Sequence, residues 1–412
     1  MIKDIYLDFA STTPTRKEVV DEMLPYFTEI FGNPGSFHTI GKKAKDALEN
    51  ARNRIAKMIG CSNKEIIFTG GGTESINLAI KGFMREKKKQ FKEKNQVPHL
   101  IVSEVEHHAV LHTAEHLERN EGFEVTYLKV NKYGQVTLES LKKAIKKNTV
   151  LVSIMYANNE IGTINKIKEL VEAVREKEKE LTTKIKFHTD ACQAGEYLDV
   201  NVERLGVDMM TLNASKIQGP KGVGLLYLKR GIRLQPIIHG GAQEFRLRAG
   251  TENVPAIIGF AKALELAQEE KILETKRLIE LRDYFIKSFL EKIPKTILNG
   301  HPKERLPNNI NISVLDIEGE ALLLMMNEYG FCASSGSACT SETLDPSHVI
   351  IAIGLPYEAA HSSIRVSLGK TTTKEDLDLF LEKAPVIIDR LRKISPVRVD
   401  FEKIKKEFEK RE

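Results

Sequence analysis

Between residues 65 and about 230 the chain alternates short β-rich apolar runs with segments of helical period, and this alternation constrains the fold most. Strand-like runs lie at 65–69, 99–103, 124–130, 150–157, 186–190, 208–212 and 222–228, with helical patterns at 74–80 and 109–117 between them. Strands joined through helices need crossover connections, which predicts an α/β architecture: a mainly parallel central sheet with helices on both faces. Two further helices are predicted ahead of it, at 15–27 with Pro14 near its start and at 41–59. In the second, Ala44, Leu48, Ala51, Ile55 and Met58 recur at spacings of three and four. A long helix over 256–292 leads into strands at 309–315 and 363–367 and a helix at 374–391. At 412 residues two domains are expected. The larger, α/β domain covers 15–260, and a smaller α+β domain combines 1–14 with 261–396. Residues 397–412 form a charged tail that reads as a marginal helix.

Composition removes several function classes. An apolar fraction of 41% and a charged fraction of 29% are those of a soluble globular protein. A net charge of +5, with no basic stripe interleaved with aromatics, gives no reason to expect nucleic acid as a direct partner. The lysine-rich stretch 87–94 alternates with acids and reads as a solvated helix end. No apolar run reaches the roughly 20 residues of a membrane span, and residues 1–8 lack the apolar core of a secretory signal. Four cysteines (Cys61, Cys192, Cys332 and Cys339) are too few for a disulfide scaffold and fit reduced thiols in a cytoplasm.

Three strand ends carry chemistry. Lys216 follows the run 208–212 and is followed by Gly219 and Gly222, a setting that can desolvate an amine and free it as a nucleophile. Asp190 closes the preceding strand and should point into the same crevice, where a carboxylate would keep a pyridinium nitrogen protonated. That pairing is expected for pyridoxal phosphate. The turn Gly70-Gly71-Gly72-Thr73 lets backbone approach a phosphate, with a hydroxyl and a helix N-terminus to hold it. A fourth element is the run Ala333-Ser334-Ser335-Gly336-Ser337-Ala338-Cys339-Thr340-Ser341. Its small residues disfavour helix and strand, which suits a mobile loop carrying a thiol to the lysine site.

With these residues in view, the chain resembles the cysteine desulfurases of the bacterial iron–sulfur assembly type, within the fold-type I pyridoxal phosphate enzymes. The likeness runs from Tyr6-Leu7-Asp8 to about Pro396. It includes Gly32-Asn33-Pro34, Gly72-Thr73-Glu74-Ser75, Glu106-His107, Asn158-Asn159-Glu160-Ile161-Gly162, His239-Gly240-Gly241, Arg248-x-Gly250-Thr251 and Ser362-Ser363-Ile364-Arg365. The wording around Cys339 is similar to the subgroup with a long catalytic loop.

The resemblance implies that Lys216 carries the cofactor, Asp190 pairs with its ring nitrogen, and His107 stacks on the ring and shuttles protons. It implies that Gln193 bonds the phenolic oxygen, with Asn159 beside it, and that Arg365 clamps the substrate carboxylate with Asn159 nearby. Thr73 would bind the phosphate and Thr251 that of the opposite subunit, which requires a homodimer. L-cysteine would leave as alanine, its sulfur held on Cys339 as a persulfide for an acceptor protein, either an iron–sulfur scaffold or a tRNA-thiolating enzyme. One departure stands out. The family usually has Ser-x-His before the lysine, and this chain has Asn213-Ala214-Ser215, an amide and a hydroxyl that can still hold a phosphate.

Rival readings are weaker. A selenocysteine lyase or another enzyme on the same fold would share most of these residues, although an aminotransferase has no use for Cys339. A non-catalytic scaffold has no need of Lys216, Asp190, Cys339 and Arg365 together. His108, His112 and His116 recur every four residues and suggest zinc, but with Glu115 they lack a clear fourth ligand, so no metal is expected. Cys332 reads as packing in a buried strand, and Cys61 and Cys192 as inert.

Overall fold

The computed structural model describes residues 4–92, 96–336 and 346–411. Its strands are, in chain order, β1 (Ile5–Tyr6), β2 (Ile66–Thr69), β3 (His99–Ser103), β4 (Glu124–Leu128), β5 (Thr149–Ser153) and β6 (Lys186–Asp190). They continue with β7 (Met209–Asn213), β8 (Gly224–Leu228), β9 (Thr296–Leu298), β10 (Asn309–Val314), β11 (Phe331–Cys332) and β12 (Ser363–Ser367). The central sheet has seven strands in the order β2-β8-β7-β6-β5-β3-β4. From β7 to β4 every neighbouring pair is parallel, whereas β8 is antiparallel to both β7 and β2. The reversal has a local cause. Each connection between parallel strands contains an α-helix, but β7 and β8 are joined by the loop 214–223, which opens with one turn of 3₁₀ helix and carries Lys216.

The sheet is buried on both faces, and the two-residue period of its strands sorts side chains between two cores. Ile66 and Phe68, Ile101, Val152 and Leu225 face one cluster with Ala51, Ile55 and Ile59 from the helix Thr39–Ile59. Their neighbours Ile67, Leu100, Val102, Leu151 and Leu226 face the other, against Ile76, Ile80 and Met84 of the helix Gly72–Lys92. A third core lies under the antiparallel sheet β12-β10-β9, where Ile310, Ile312 and Ile364 meet Phe285, Phe289 and Phe380. The helix Val254–Lys292 is 39 residues long and serves two of these cores, the first through Val254 to Leu264 and the third through Leu278 to Phe289.

One element differs from the sequence reading, and the structure adds detail to two others. The segment read as one helix over 15–27 is two, Lys17–Met23 and Pro25–Thr28, because Pro25 has no N–H to continue the ladder. At the N-terminal end β1 pairs with β11, and Asp8 bridges Ser367. The charged tail folds as the helix Phe401–Glu409, and Val399, Phe401, Ile404 and Phe408 pack on Val349, Ile350 and Ile353.

Candidate active site

Lys216 ends a single turn of 3₁₀ helix, Ala214–Lys216, directly after β7. Gly219 closes that turn, since a Cβ there would stand 2.9 Å from the Ala214 carbonyl oxygen. The lysine amine donates to the Ala10 carbonyl at 2.9 Å and to the Ser11 carbonyl. Asp190 sits on the next strand over, paired with Thr211, and is 6% exposed. Its Oδ1 accepts the backbone N–H of Cys192 at 2.9 Å, which leaves the carboxylate fixed at the strand end.

A cavity of about 240 Å³ brings these groups together. Lys216, Asp190, Gln193, His107, Asn159, Asn213, Gly72, Thr73 and Arg365 all line it. Ser215 lines an adjoining opening of about 620 Å³ that shares Gly72, Thr73 and Asn213 as a common wall. His107 is the N-cap of the helix His108–Glu121, and its Nδ1 accepts the Ala109 N–H at 3.0 Å. Its Nε2 is therefore the nitrogen left for proton traffic. Gln193 donates to the Ala10 carbonyl at 2.9 Å, so one carbonyl of the N-terminal segment steadies both Gln193 and Lys216.

The glycine turn is built for close approach. A Cβ on Gly72 would stand 2.9 Å from the Cys192 sulfur and 3.6 Å from Asn213. The 21-residue helix Gly72–Lys92 starts at this bare backbone, so its positive end lies at the cavity beside Thr73. An amine, a carboxylate at the end of the neighbouring strand and an anion cradle of this kind fit pyridoxal phosphate.

Arg365, on β12, is 2% exposed. Its Nη1 donates to the Asn159 carbonyl at 3.0 Å, and its Nη2 donates to Asp8 Oδ1 at 2.9 Å and Ser11 Oγ at 2.5 Å. Its Nε is buried without a partner among the described residues. Asn159 is presented by a turn that Asn158 braces, its Oδ1 accepting the N–H groups of Glu160 (2.8 Å) and Ile161 (2.9 Å).

Cys339 lies outside the described residues, as do 337–345. The chain on either side of them is at the site. Ser334 exchanges two backbone hydrogen bonds with Arg365, at 3.1 and 2.6 Å. Gly336 and Ser347 both meet Glu160: a Cβ on Gly336 would be 2.5 Å from its Oε2, to which Ser347 donates at 2.5 Å.

A match to the aminotransferase class-V family spans residues 5–380. The chain is 50% identical over 395 residues to cysteine desulfurase IscS of Methanosarcina thermophila, covering 96% of this chain and 94% of that one. The chain belongs to the class-V aminotransferases, among their cysteine desulfurases. Among solved structures, a NifS-like protein superposes with a TM-score of 0.86 at 36% identity, over 94% of this chain and 100% of that one. A second, described as SspA in complex with cysteine, gives 0.75 at 34% identity, over 88% and 98%. The enzymes of this family depend on pyridoxal phosphate, the group the cavity fits.

Against this cysteine desulfurase framework, Thr251 is exposed and does not line its own chain's cavity. The three histidines face different neighbours: His116 turns to Glu121 at 3.3 Å, while the His108 ring lies tilted against His112 and His348, centroids 4.9 and 4.6 Å apart. No group of three possible ligands occurs among the described residues. Cys332 lies on β11 but is only partly buried. Cys192, read from sequence as inert, lines the cavity, and burial with Asp190 beside it pushes its thiol up. Glu106 went unnoticed as a buried group. Its Oε1 accepts Ser103 Oγ (2.6 Å) and the Met155 N–H (2.9 Å), while burial raises it to about 8. No periodicity marks such residues, because long-range contacts create their surroundings.

Proposed function

We propose that the protein converts L-cysteine to alanine with pyridoxal phosphate and retains the sulfur on Cys339 as a persulfide. The observation that carries the reading is the convergence of Lys216, Asp190 and Arg365 on one cavity, beside the chain that leads into the Cys339 segment. Lys216 holds the cofactor, Asp190 keeps its ring nitrogen protonated, and Gln193, Thr73, Asn213 and Ser215 orient it. The bound cofactor would supply an electron sink for the electron pair left when the Cα–H bond of the substrate breaks. Arg365 fixes the substrate carboxylate through a geometry lysine does not reproduce. Lys216 takes the Cα proton and returns it nearby, with His107 Nε2 as a second carrier. The Cys339 thiolate then attacks the substrate sulfur: an S–S bond forms as the C–S bond breaks, and the three-carbon fragment gains protons and leaves as alanine.

The same reading makes the protein a cytoplasmic homodimer in which Thr251 of a second copy reaches the opening of about 620 Å³. An iron–sulfur scaffold or a tRNA-thiolating enzyme would accept the sulfur. The separate cores support a division into 15–260 and 1–14 with 261–396. The test is one spectrum with and without L-cysteine, with mass spectrometry of residue 339. The purified protein is expected to be yellow, to release alanine, and to gain one sulfur atom on Cys339. Lys216→Ala loses the colour and the activity. A Cys339→Ala protein that releases sulfide at the normal rate would refute the role given to the thiol.

A further inference from the structure

The N-terminal segment holds Arg365 as firmly as it holds Lys216. Asp8 Oδ1 accepts from Arg365 Nη2 at 2.9 Å, Ser11 Oγ lies 2.5 Å from the same nitrogen, and Ser11 Oγ donates to Asp8 Oδ1 at 2.9 Å. The triangle is closed and shielded, with the arginine side chain 2% and the aspartate side chain 19% exposed. Asp8 is itself anchored: Tyr6 Oη donates to its carbonyl at 3.0 Å, and its backbone bridges Ser367 on the strand that carries Arg365.

Ser11 and Arg365 line the cavity, and Asp8 does not. The carboxylate thus sits behind the guanidinium as seen by an arriving substrate. We propose that Asp8, together with Ser11, is the positioning residue that aims Arg365 at the substrate carboxylate and so sets selectivity for amino acids over simple amines. This rests on the carboxylate role given to Arg365 above. Two effects of Asp8 oppose each other. It repels an incoming carboxylate across the width of the guanidinium, and it fixes the guanidinium by direct charged contact. The repulsion acts across the guanidinium, at a longer distance than the 2.9 Å contact, and is correspondingly weak, so the loss of aim is the larger effect expected on removing Asp8. A charged hydrogen bond is also among the stronger contacts available to a buried side chain.

The experiment compares wild type, Asp8→Asn, Ser11→Ala and Arg365→Gln as cofactor-loaded proteins of matched melting temperature. It measures KM and kcat for L-cysteine, and the dissociation constant of cysteamine from the absorbance of the bound cofactor. Cysteamine has the amine and the thiol but no carboxylate. Asp8→Asn is expected to raise KM about tenfold and to leave kcat within about twofold, with cysteamine binding unchanged. Ser11→Ala is expected to raise KM about threefold in the same pattern, and it decides the matter if Asp8→Asn does not fold. A KM that stays the same or falls in both variants overturns the inference, as does equal loss for cysteine and cysteamine. If Arg365→Gln itself leaves KM unchanged, the carboxylate reading and the inference fall together. If Arg365→Gln raises it and the two positioning variants do not, only the inference falls.

Discussion

Gly72→Ala is a test of the phosphate cradle that the structure makes quantitative. Gly72 has no left-handed backbone requirement, so alanine introduces no conformational strain. What it introduces is one methyl group, 2.9 Å from the Cys192 sulfur. Ordinary contact begins about half an ångström further out, and either the sulfur or the first turn of the helix Gly72–Lys92 has to move. Overpacking of this kind costs about 1–3 kcal/mol. The turn is the part that a bound phosphate would otherwise hold in place, so most of that cost should appear in cofactor affinity. At about 1.4 kcal/mol per factor of ten, the dissociation constant of pyridoxal phosphate should rise between about fivefold and a hundredfold. The assay is absorbance titration of the cofactor-free protein, with melting temperature as a check on folding. Cys192→Ala removes the obstructing sulfur, so the double variant Gly72→Ala/Cys192→Ala should recover most of the lost affinity. The coupling between the two sites should exceed about 0.5 kcal/mol. Unchanged affinity in Gly72→Ala would refute the cradle. A double variant as weak as the single would show that the methyl group obstructs the cofactor itself and not the thiol.

Glu106 and Glu244 offer separate tests. Burial holds the Glu106 carboxyl at about 8, above the 4.5 of an exposed glutamate, so the folded protein keeps a proton that the unfolded chain releases. Its contribution is therefore complete below about 4.5 and is lost as pH rises to about 8, so wild type should lose a few kcal/mol relative to Glu106→Gln over that window. Urea melts of both proteins at both ends of the window check this, and a constant difference would contradict it. Glu244 forms a buried pair with Arg52 at 2.6 Å, their side chains 2% and 3% exposed, and it also accepts the Phe68 N–H at 2.7 Å. Glu244→Ala strands the arginine charge and should destabilise by about 3–5 kcal/mol in chemical denaturation, whereas a loss under about 1 kcal/mol would mean that solvent reaches the arginine.

The sheet was legible because its strands are short apolar runs set between helical periods. Expected bounds such as 99–103 and 186–190 coincide with β3 and β6. The antiparallel placement of β8 was not legible, since direction depends on the length and content of a connection and not on any residue in the strand. Lys216 and Asp190 stood out as charged residues closing apolar strands, a local contrast. Cys192, Glu106 and Asp8 did not. Their surroundings come from Gly72, Met155 and Arg365, the last of them 357 positions from Asp8, and no window of sequence contains both partners. The docked tail escaped for a related reason: a helix with Phe401, Ile404 and Phe408 among charges reads as solvated until its receiving surface is known.

The reach from Asp8 to Arg365 also has a consequence for biosynthesis. The opening residues leave the ribosome long before their partners, and at about 5–20 residues per second the wait is on the order of tens of seconds. The central sheet can condense in that interval, from β2 through β8, around a reaction centre still lacking its arginine. Nascent chains stopped short of β12 should therefore be folded in their first half and unable to recognise an amino acid, which makes substrate recognition a late acquisition of the growing chain.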